Sequence, residues 1–163
     1  MIYFSYGSNM SIKRLSSRIT KISRLGIATL HKHDLRFHKV SINNGGGKCD
    51  IFETDDPEHF VIGVVYKIDP NEKSELDRLE GLGLGYEEKQ VNIEMNGKIV
   101  SAFTYYATNI DPELKPLSWY KEHVVRGARE NELPEEYIQK IEIVESVADD
   151  NYERHLRELV IYD

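Results

Sequence analysis

The sequence predicts an α+β fold in which a curled, barrel-like mixed sheet is surrounded by helices. Segments rich in β-branched and aromatic residues are interspersed with helical segments, without the regular alternation that a parallel sheet requires. Asn96-Gly97 lies between two long strand-like segments and is a strong indication of a β-hairpin, so antiparallel pairing is expected. No internal repeat or linker interrupts the 163 residues, which we expect to form one domain, residues 1–163.

The first half of the chain is predicted to be mostly β-structure. Residues 2–6 favour a strand, Gly7-Ser8-Asn9 breaks it, and Ser11 is expected to cap a helix. The apolar face of that helix would consist of Ile12, Leu15 and Ile19. Residues 24–40 are predicted to form a strand pair or one long bent strand, and residues 43–47 a flexible loop. Two more strands are expected at residues 50–53 and 60–68.

The second half alternates between helices and the hairpin. Asp69-Pro70 is typical of a helix start, and Gly81 of its end. The hairpin strands should cover residues 86–95 and 98–107. Helices are then expected from about residue 118 to 130 and after Pro134, while the charged tail from residue 149 could dock as a helix or fray.

Composition excludes several classes of protein. No apolar segment approaches the length of a membrane span, and the N-terminus lacks the features of a signal peptide. The single cysteine, Cys49, cannot form an intramolecular disulfide, which favours the cytoplasm, and we expect it to be a small buried residue rather than a nucleophile. Oligomeric state is not determined by these features, and a homodimer is compatible with them.

The charge is distributed unevenly. A net charge of −7 argues mildly against nucleic acid as the main partner. Residues 1–48, however, contain nine of the 21 basic residues and only one of the 28 acidic residues. The remainder of the chain contains 12 basic and 27 acidic residues. This basic part could attract an anionic ligand or form an ordinary solvated face. Its cations are Lys13, Arg14, Arg18, Lys21, Arg24, Lys32, Arg36, Lys39 and Lys48.

The turn Tyr6-Gly7-Ser8-Asn9 is a candidate anion-binding loop. Glycine at position 7 can adopt a backbone conformation closed to other residues, and it lets a ligand approach the main chain closely. The N–H groups that follow lie near a helix N-terminus, where they could hold a carboxylate or the oxyanion of an acyl transfer. An ordinary strand-to-helix turn would have the same four residues.

Glu80 is the candidate acid–base residue. At helical spacing it lies about 40° from the apolar Leu76, on the rim of the buried face. Partial burial and the negative end of the helix should both raise the pKa of such a carboxyl group, which suits proton transfer. A surface glutamate at a frayed helix end is the alternative.

Other chemistries have weaker support. His31, His33 and His38 with Cys49 lack the paired spacing of a metal site, so no metal is expected. Gly46-Gly47-Lys48 lacks the remaining residues of a phosphate-binding loop, and no Gly-x-Ser-x-Gly elbow is present.

Four segments, in order along the chain, resemble γ-glutamylcyclotransferases. They are Tyr3-Phe4-Ser5-Tyr6-Gly7-Ser8-Asn9-Met10, Gly63-Val64-Val65-Tyr66 with Leu76-Asp77-Arg78-Leu79-Glu80-Gly81, Pro116-Leu117-Ser118-Trp119-Tyr120, and Gly127-Ala128-Arg129-Glu130-Asn131-Glu132-Leu133-Pro134 with Tyr137. The resemblance implies a compact mixed barrel with helices. Two segments depart from the family pattern, residues 81–86 and 43–47, and both would shape the end of the pocket that receives the leaving group.

The resemblance also implies an activity, the cyclisation of a small γ-glutamyl amide to 5-oxoproline with release of an amine or amino acid. It implies that Glu80 accepts and returns the proton and that Tyr120 contacts the substrate, with no metal or cofactor. The substrate would be held, largely through backbone groups, by Tyr3, Phe4, Ser5, Tyr6, Gly7, Ser8 and Asn9. The alternative is a non-catalytic module of the same fold that binds small anions.

Overall fold

The computed structural model describes all 163 residues, Met1–Asp163, as seven strands and five α-helices. The strands are β1 (Ile2–Ser5), β2 (Ile22–His31), β3 (His33–Val40), β4 (Gly47–Glu53), β5 (Phe60–Ile68), β6 (Tyr86–Met95) and β7 (Lys98–Ala107). The helices are α1 (Ile12–Ser16), α2 (Lys73–Glu80), α3 (Ser118–Glu130), α4 (Glu135–Glu142) and α5 (Tyr152–Leu159). Short 3₁₀ turns cover Ser8–Met10, Pro70–Glu72 and Val160–Tyr162.

Five strands form a closed barrel in the order β1-β5-β2-β6-β7. All neighbours are antiparallel except β7 and β1, whose parallel contact, Tyr3 opposite Phe103, closes the barrel. The strands β3 and β4 form a separate antiparallel pair beside it. The predicted α+β architecture, a mixed barrel surrounded by helices, is therefore confirmed.

Strand β5 is the centre of the core. It pairs with β1 on one side and β2 on the other, and only Phe60 and Lys67 among its nine residues are exposed. Burial on both faces explains why its sequence is almost continuously apolar instead of alternating. On the outside of the barrel, the hydroxyl of Tyr66 donates to the carbonyl of Met10, which ties the first turn of the chain to this strand.

The predicted turns have the expected backbone. Asn96 and Gly97 both have positive φ, 51° and 73°, as a tight hairpin between right-twisted strands requires. Gly81 ends α2 in the left-handed conformation, with φ of 77°. Ser11 caps α1 by accepting the N–H of Arg14, and α3 begins and ends at the residues predicted.

Three elements resolve open alternatives or differ from expectation. Residues 24–40 are a pair of strands, β2 and β3, which belong to different sheets. Helix α1 is only five residues long, and Ile12, predicted on its apolar face, is exposed. The N–H of Ile12 donates to the carboxylate of Glu130. The charged tail forms α5 and docks against α3. None of the helices has the length and apolar character needed to cross a membrane.

Candidate active site

Glu80 lies at the C-terminal end of α2, next to the turn that follows β1. Its side chain is 17% exposed, and Oε1 accepts a hydrogen bond of 2.8 Å from the side-chain amide of Asn9. The carboxylate and the Tyr-Gly-Ser-Asn turn therefore face each other, although 71 residues separate them in the chain. The prediction that Glu80 would be only partly buried is confirmed, and a frayed surface position is excluded.

Arg18 completes the environment of this carboxylate. Its Nη1 donates to Glu80 Oε1 at 2.6 Å and to Asn9 Oδ1 at 3.1 Å. Asn9 Nδ2 also lies 3.3 Å from the hydroxyl oxygen of Tyr3. Both donors use Oε1, and no hydrogen bond within the protein occupies Oε2. One oxygen of Glu80 is thus held in place, while the other has no hydrogen-bond partner within the protein.

The turn presents unused backbone donors. Among the backbone hydrogen bonds of turns, loops and caps, none has the N–H of Gly7, Ser8 or Asn9 as its donor. Gly7 has φ of −117° and ψ of −140°, outside the left-handed region. A larger residue would be crowded here, because an ideal Cβ would lie 3.0 Å from Cys49 Cβ and the neighbouring side chain would have to shift by a few tenths of an ångström.

The alternation of β1 divides the predicted binding residues between two faces. Tyr3 and Ser5 line a small inner pocket together with Tyr6, Gly7, Ser8 and Asn9. Phe4 points the other way, into the barrel core, and is fully buried there. The side chain of Phe4 therefore does not line the pocket, and the predicted contribution of this residue to binding would come from its backbone. The Ser5 hydroxyl is buried in the pocket wall and has no hydrogen-bond partner.

Phenol groups form the rest of the inner wall. Tyr120 accepts the backbone N–H of Cys49 at 3.0 Å, and Tyr86 donates to the carbonyl of the same residue. Burial raises the pKa of Tyr120, Tyr86 and Tyr3 above its ordinary value, so these phenols are neutral donors at physiological pH. Cys49 is buried, as predicted, and its burial raises the pKa of the thiol to about 12.

The inner pocket opens into a wider cleft of about 390 Å³. Glu80, Ser8, Tyr86 and Tyr120 line both spaces, so the carboxylate lies at their junction. Glu80 is the only acid that lines either one. The cleft also contains five basic side chains, Arg14, Arg18, Lys39, Lys48 and Arg78.

Several of these residues were not identified from their local sequence. Arg18 and Tyr86 belong to no recognisable motif, and Lys39 and Lys48 precede Glu80 by 41 and 32 residues. The excess of positive charge in residues 1–48 was the available indication, since four of its nine cations line the cleft. Three or more His, Cys, Asp or Glu side chains do not converge anywhere in an arrangement that could hold a metal ion.

Known proteins share both the sequence and the architecture. A sequence model of the AIG2-like family matches residues 60–141. The chain is 34% identical to γ-glutamylcyclotransferase from Bos taurus and 33% identical to that from Homo sapiens, in each case over 150 residues that make up 88% of this chain and 78% of the relative. A solved structure named γ-glutamyl cyclotransferase superimposes with a TM-score of 0.84 at 29% identity, over 97% of this chain and 98% of its own.

Proposed function

The chain belongs to the γ-glutamylcyclotransferase family and is an enzyme of that type, and from this premise we propose that Glu80 is its catalytic acid–base residue. The reaction is the intramolecular attack of a γ-glutamyl α-amine on its own side-chain amide. A carbon–nitrogen bond forms in the five-membered ring of 5-oxoproline, and the bond to the departing amine breaks. A non-catalytic binding module is not favoured, because the relatives are enzymes.

The observation that carries this proposal is the asymmetric environment of the Glu80 carboxylate. Arg18 and Asn9 hold Oε1, and Oε2 has no partner in the protein. The free oxygen can take the proton of the substrate ammonium, which must be removed before the nitrogen attacks. The same oxygen can then return that proton to the leaving nitrogen. Cyclisation therefore needs proton transfer and orientation, and its chemistry requires neither a metal nor a cofactor.

The substrate is proposed to bind with its glutamyl part in the inner pocket. The unused N–H groups of Gly7, Ser8 and Asn9 are suited either to its α-carboxylate or to the oxyanion of the tetrahedral intermediate. The Ser5 hydroxyl and the phenol of Tyr120 are further contacts in the same wall. The leaving group then extends into the wider cleft beyond Glu80.

We further propose that the enzyme acts in the cytoplasm on small γ-glutamyl compounds, without a nucleic-acid or membrane partner. A single buried thiol suits a reducing compartment, and the net charge of −7 disfavours binding to nucleic acid.

Substitution of Glu80→Gln tests the assignment. The amide keeps the shape and can still contact Asn9, but it cannot accept the proton, so the rate of 5-oxoproline release should fall by roughly a hundredfold to ten-thousandfold. Glu113→Gln is the control, because Glu113 is exposed and lines neither the inner pocket nor the cleft. Release of 5-oxoproline at the parent's rate by Glu80→Gln would remove Glu80 from the mechanism.

A further inference from the structure

A buried carboxylate anchors the two-stranded sheet of β3 and β4 to the barrel. Asp50, on β4, is only 2% exposed, and its Oδ1 accepts the backbone N–H of Ala107, on β7, at 2.7 Å. Its Oδ2 lies 2.7 Å from Nε2 of His38, on β3, whose ring is also buried. An ionised carboxylate can only accept, so Nε2 donates. One side chain therefore joins β3, β4 and β7, which belong to two different sheets.

The residue before Asp50 lies in the wall of the proposed active site. Cys49 lines the inner pocket, where its N–H donates to the hydroxyl oxygen of Tyr120 at 3.0 Å and its carbonyl accepts the hydroxyl of Tyr86. An ideal Cβ on Gly7 would lie 3.0 Å from Cys49 Cβ, so the first turn also packs closely against this residue. Two phenols and the turn with the unused N–H groups therefore share one support, Cys49.

The hydroxyl of Tyr120 depends on this support for its position. A phenol oxygen that accepts an N–H can still donate its own proton, and Tyr120 lines both the inner pocket and the cleft. A shift of β4 relative to β7 would move the N–H of Cys49, and with it the phenol. A displacement of about 1 Å between reacting or orienting groups can lower a rate by about a hundredfold.

The chemistry of the anchor indicates that it sets a precise spacing. Burying an ion pair is costly, and apolar residues of similar volume often stabilise a fold equally well. Hydrogen bonds, however, are directional and allow one arrangement of β4 against β7, whereas apolar surfaces tolerate sliding. The backbone ladder does not supply this precision, because the register between β3 and β4 shifts between Arg36 and Lys39, the segment that contains His38.

We propose that His38 and Asp50 are positioning residues of the reaction, which hold the main chain of Cys49 so that the hydroxyl of Tyr120 meets the substrate. This inference rests on the proposed function, since it takes Tyr120 as a substrate contact. Neither His38 nor Asp50 lines the inner pocket or the cleft, so both act through strand β4. The proton transfer itself does not pass through them.

A double-mutant cycle with Tyr120→Phe tests this connection. The measurement is kcat/KM for 5-oxoproline release from γ-glutamyl-alanine or γ-glutamyl-glutamate, whichever the parent converts faster. Asp50→Ala should lower kcat/KM by roughly tenfold or more in the parent but by no more than about twofold in Tyr120→Phe, because substitutions that act through one group are not additive. Equal losses in the two backgrounds would overturn the proposal, since general damage to the fold lowers both values alike.

Two further variants separate positioning from packing. Asp50→Asn can still accept the N–H of Ala107 and can donate to the neutral ring of His38, so it should keep kcat/KM within about threefold of the parent. A loss as large as that of Asp50→Ala would contradict positioning by hydrogen bonds. His38→Phe keeps a buried ring without its N–H, should behave like Asp50→Ala, and replaces it in the cycle if Asp50→Ala does not fold.

Glu94→Ala is the matched control for Asp50→Ala. Glu94 also pairs with a histidine, His31, at 3.1 Å, but this pair is exposed, and neither residue lines the inner pocket or the cleft. Its removal should leave kcat/KM unchanged, because an exposed pair holds no part of the site.

Hydrogen exchange of the Cys49 amide separates this inference from the proposed function, because it needs no turnover. In Asp50→Ala this amide should exchange roughly tenfold faster or more than in the parent, with the amides of β5 as the reference for global unfolding. If the parent releases no 5-oxoproline but the Cys49 amide responds in this way, the support of Cys49 by the pair stands and the proposed function fails. An unchanged rate at Cys49 would overturn the inference whatever the outcome for the reaction.

Discussion

At the scale of single residues, phenols of the inner pocket have hydrogen-bond partners in the protein, whereas the hydroxyl of Ser5 has none. Tyr6 donates to the carbonyl of Tyr105 at 2.6 Å, and Tyr105 donates to Asp77 at the same distance. Ser5, only 2% exposed, has no such partner. Buried polar groups are nearly always hydrogen-bonded, so an unpaired hydroxyl in a pocket wall is a candidate contact for a ligand.

Substitution of Ser5→Ala tests this interpretation by separating stability from binding. Loss of a hydroxyl that has no partner should leave the melting temperature unchanged or slightly higher, because the folded variant lacks no hydrogen bond that the folded parent has. The value of kcat/KM should fall by roughly tenfold, since one contact to the substrate disappears. Thermal melts and steady-state kinetics on the same preparations provide both readings.

Thr104→Val is the matched control for Ser5→Ala. Thr104 is also fully buried, but its hydroxyl donates to the carbonyl of Phe4 at 2.8 Å. Its removal should therefore cost about 1–2 kcal/mol of stability. A large loss of stability in Ser5→Ala, with kcat/KM preserved, would show that Ser5 has a structural role.

At the scale of elements, α3 packs directly against the turn that contains Asn9. Asn131, just after α3, donates to the carbonyls of Met10 and Gly127 at 2.9 and 2.8 Å. Gly127 gives the two segments their close approach: an ideal Cβ there would lie 2.5 Å from the backbone nitrogen of Ser11. The position of the active-site turn is therefore determined by a helix that begins more than a hundred residues later.

Gly127→Ala should destabilise the protein even though alanine favours helices. The added methyl group cannot fit, so α3 and the turn must separate, at a cost of about 1–3 kcal/mol, which exceeds the gain of about 1 kcal/mol in helix propensity. Urea unfolding measures the difference. Gln139→Ala, at an exposed position of α4, should leave stability nearly unchanged. Equal or higher stability of Gly127→Ala would show that the two segments can move apart without cost.

At the scale of the whole molecule, the end of the chain supports its beginning. Helix α5 places Glu158 in a salt bridge with Arg14. In the turn that follows, the hydroxyl of Tyr162 lies 2.7 Å from His123 Nδ1. Arg14 Nη1 lies 2.8 Å from His123 Nε2. Arginine can only donate, so Nε2 must be the acceptor, and the ring is neutral. Arg14 lines the cleft, which makes the C-terminal segment part of the support of the site.

Stability should therefore fall on the acid side of neutrality. Burial, with a smaller contribution from Arg14, lowers the pKa of His123 from its ordinary 6.5 to about 4. Between these pH values the unfolded chain binds a proton that the folded protein does not, so the stabilisation is complete above pH 6.5 and is lost as the pH falls to 4. The loss is about 3 kcal/mol. Unfolding free energies measured across this range in the parent and in His123→Gln should show a weaker dependence in the variant, and equal slopes would contradict the assignment.

Local chemistry was sufficient to predict many of the elements from the sequence. Asn96-Gly97 predicted its hairpin, and Gly81 the end of α2, because each turn depends on the backbone preferences of one or two residues. The ends of α3 were also predicted, since Pro112 and Pro116 mark the turn that precedes the helix. The assignment of β2 and β3 to different sheets was not predicted, since strand partners are distant in the chain and share no local pattern.

The sequence by itself determined the architecture, the family and the two segments that carry the proposed chemistry. Tertiary structure alone decided that Arg18 holds one oxygen of Glu80, that Phe4 faces the core while Ser5 faces the pocket, and that Lys39 and Lys48 line the cleft. The physical reason is distance. Hydrogen bonds, burial and charge pairing are set by neighbours in space, whereas turns, caps and periodicity are set by neighbours in the chain.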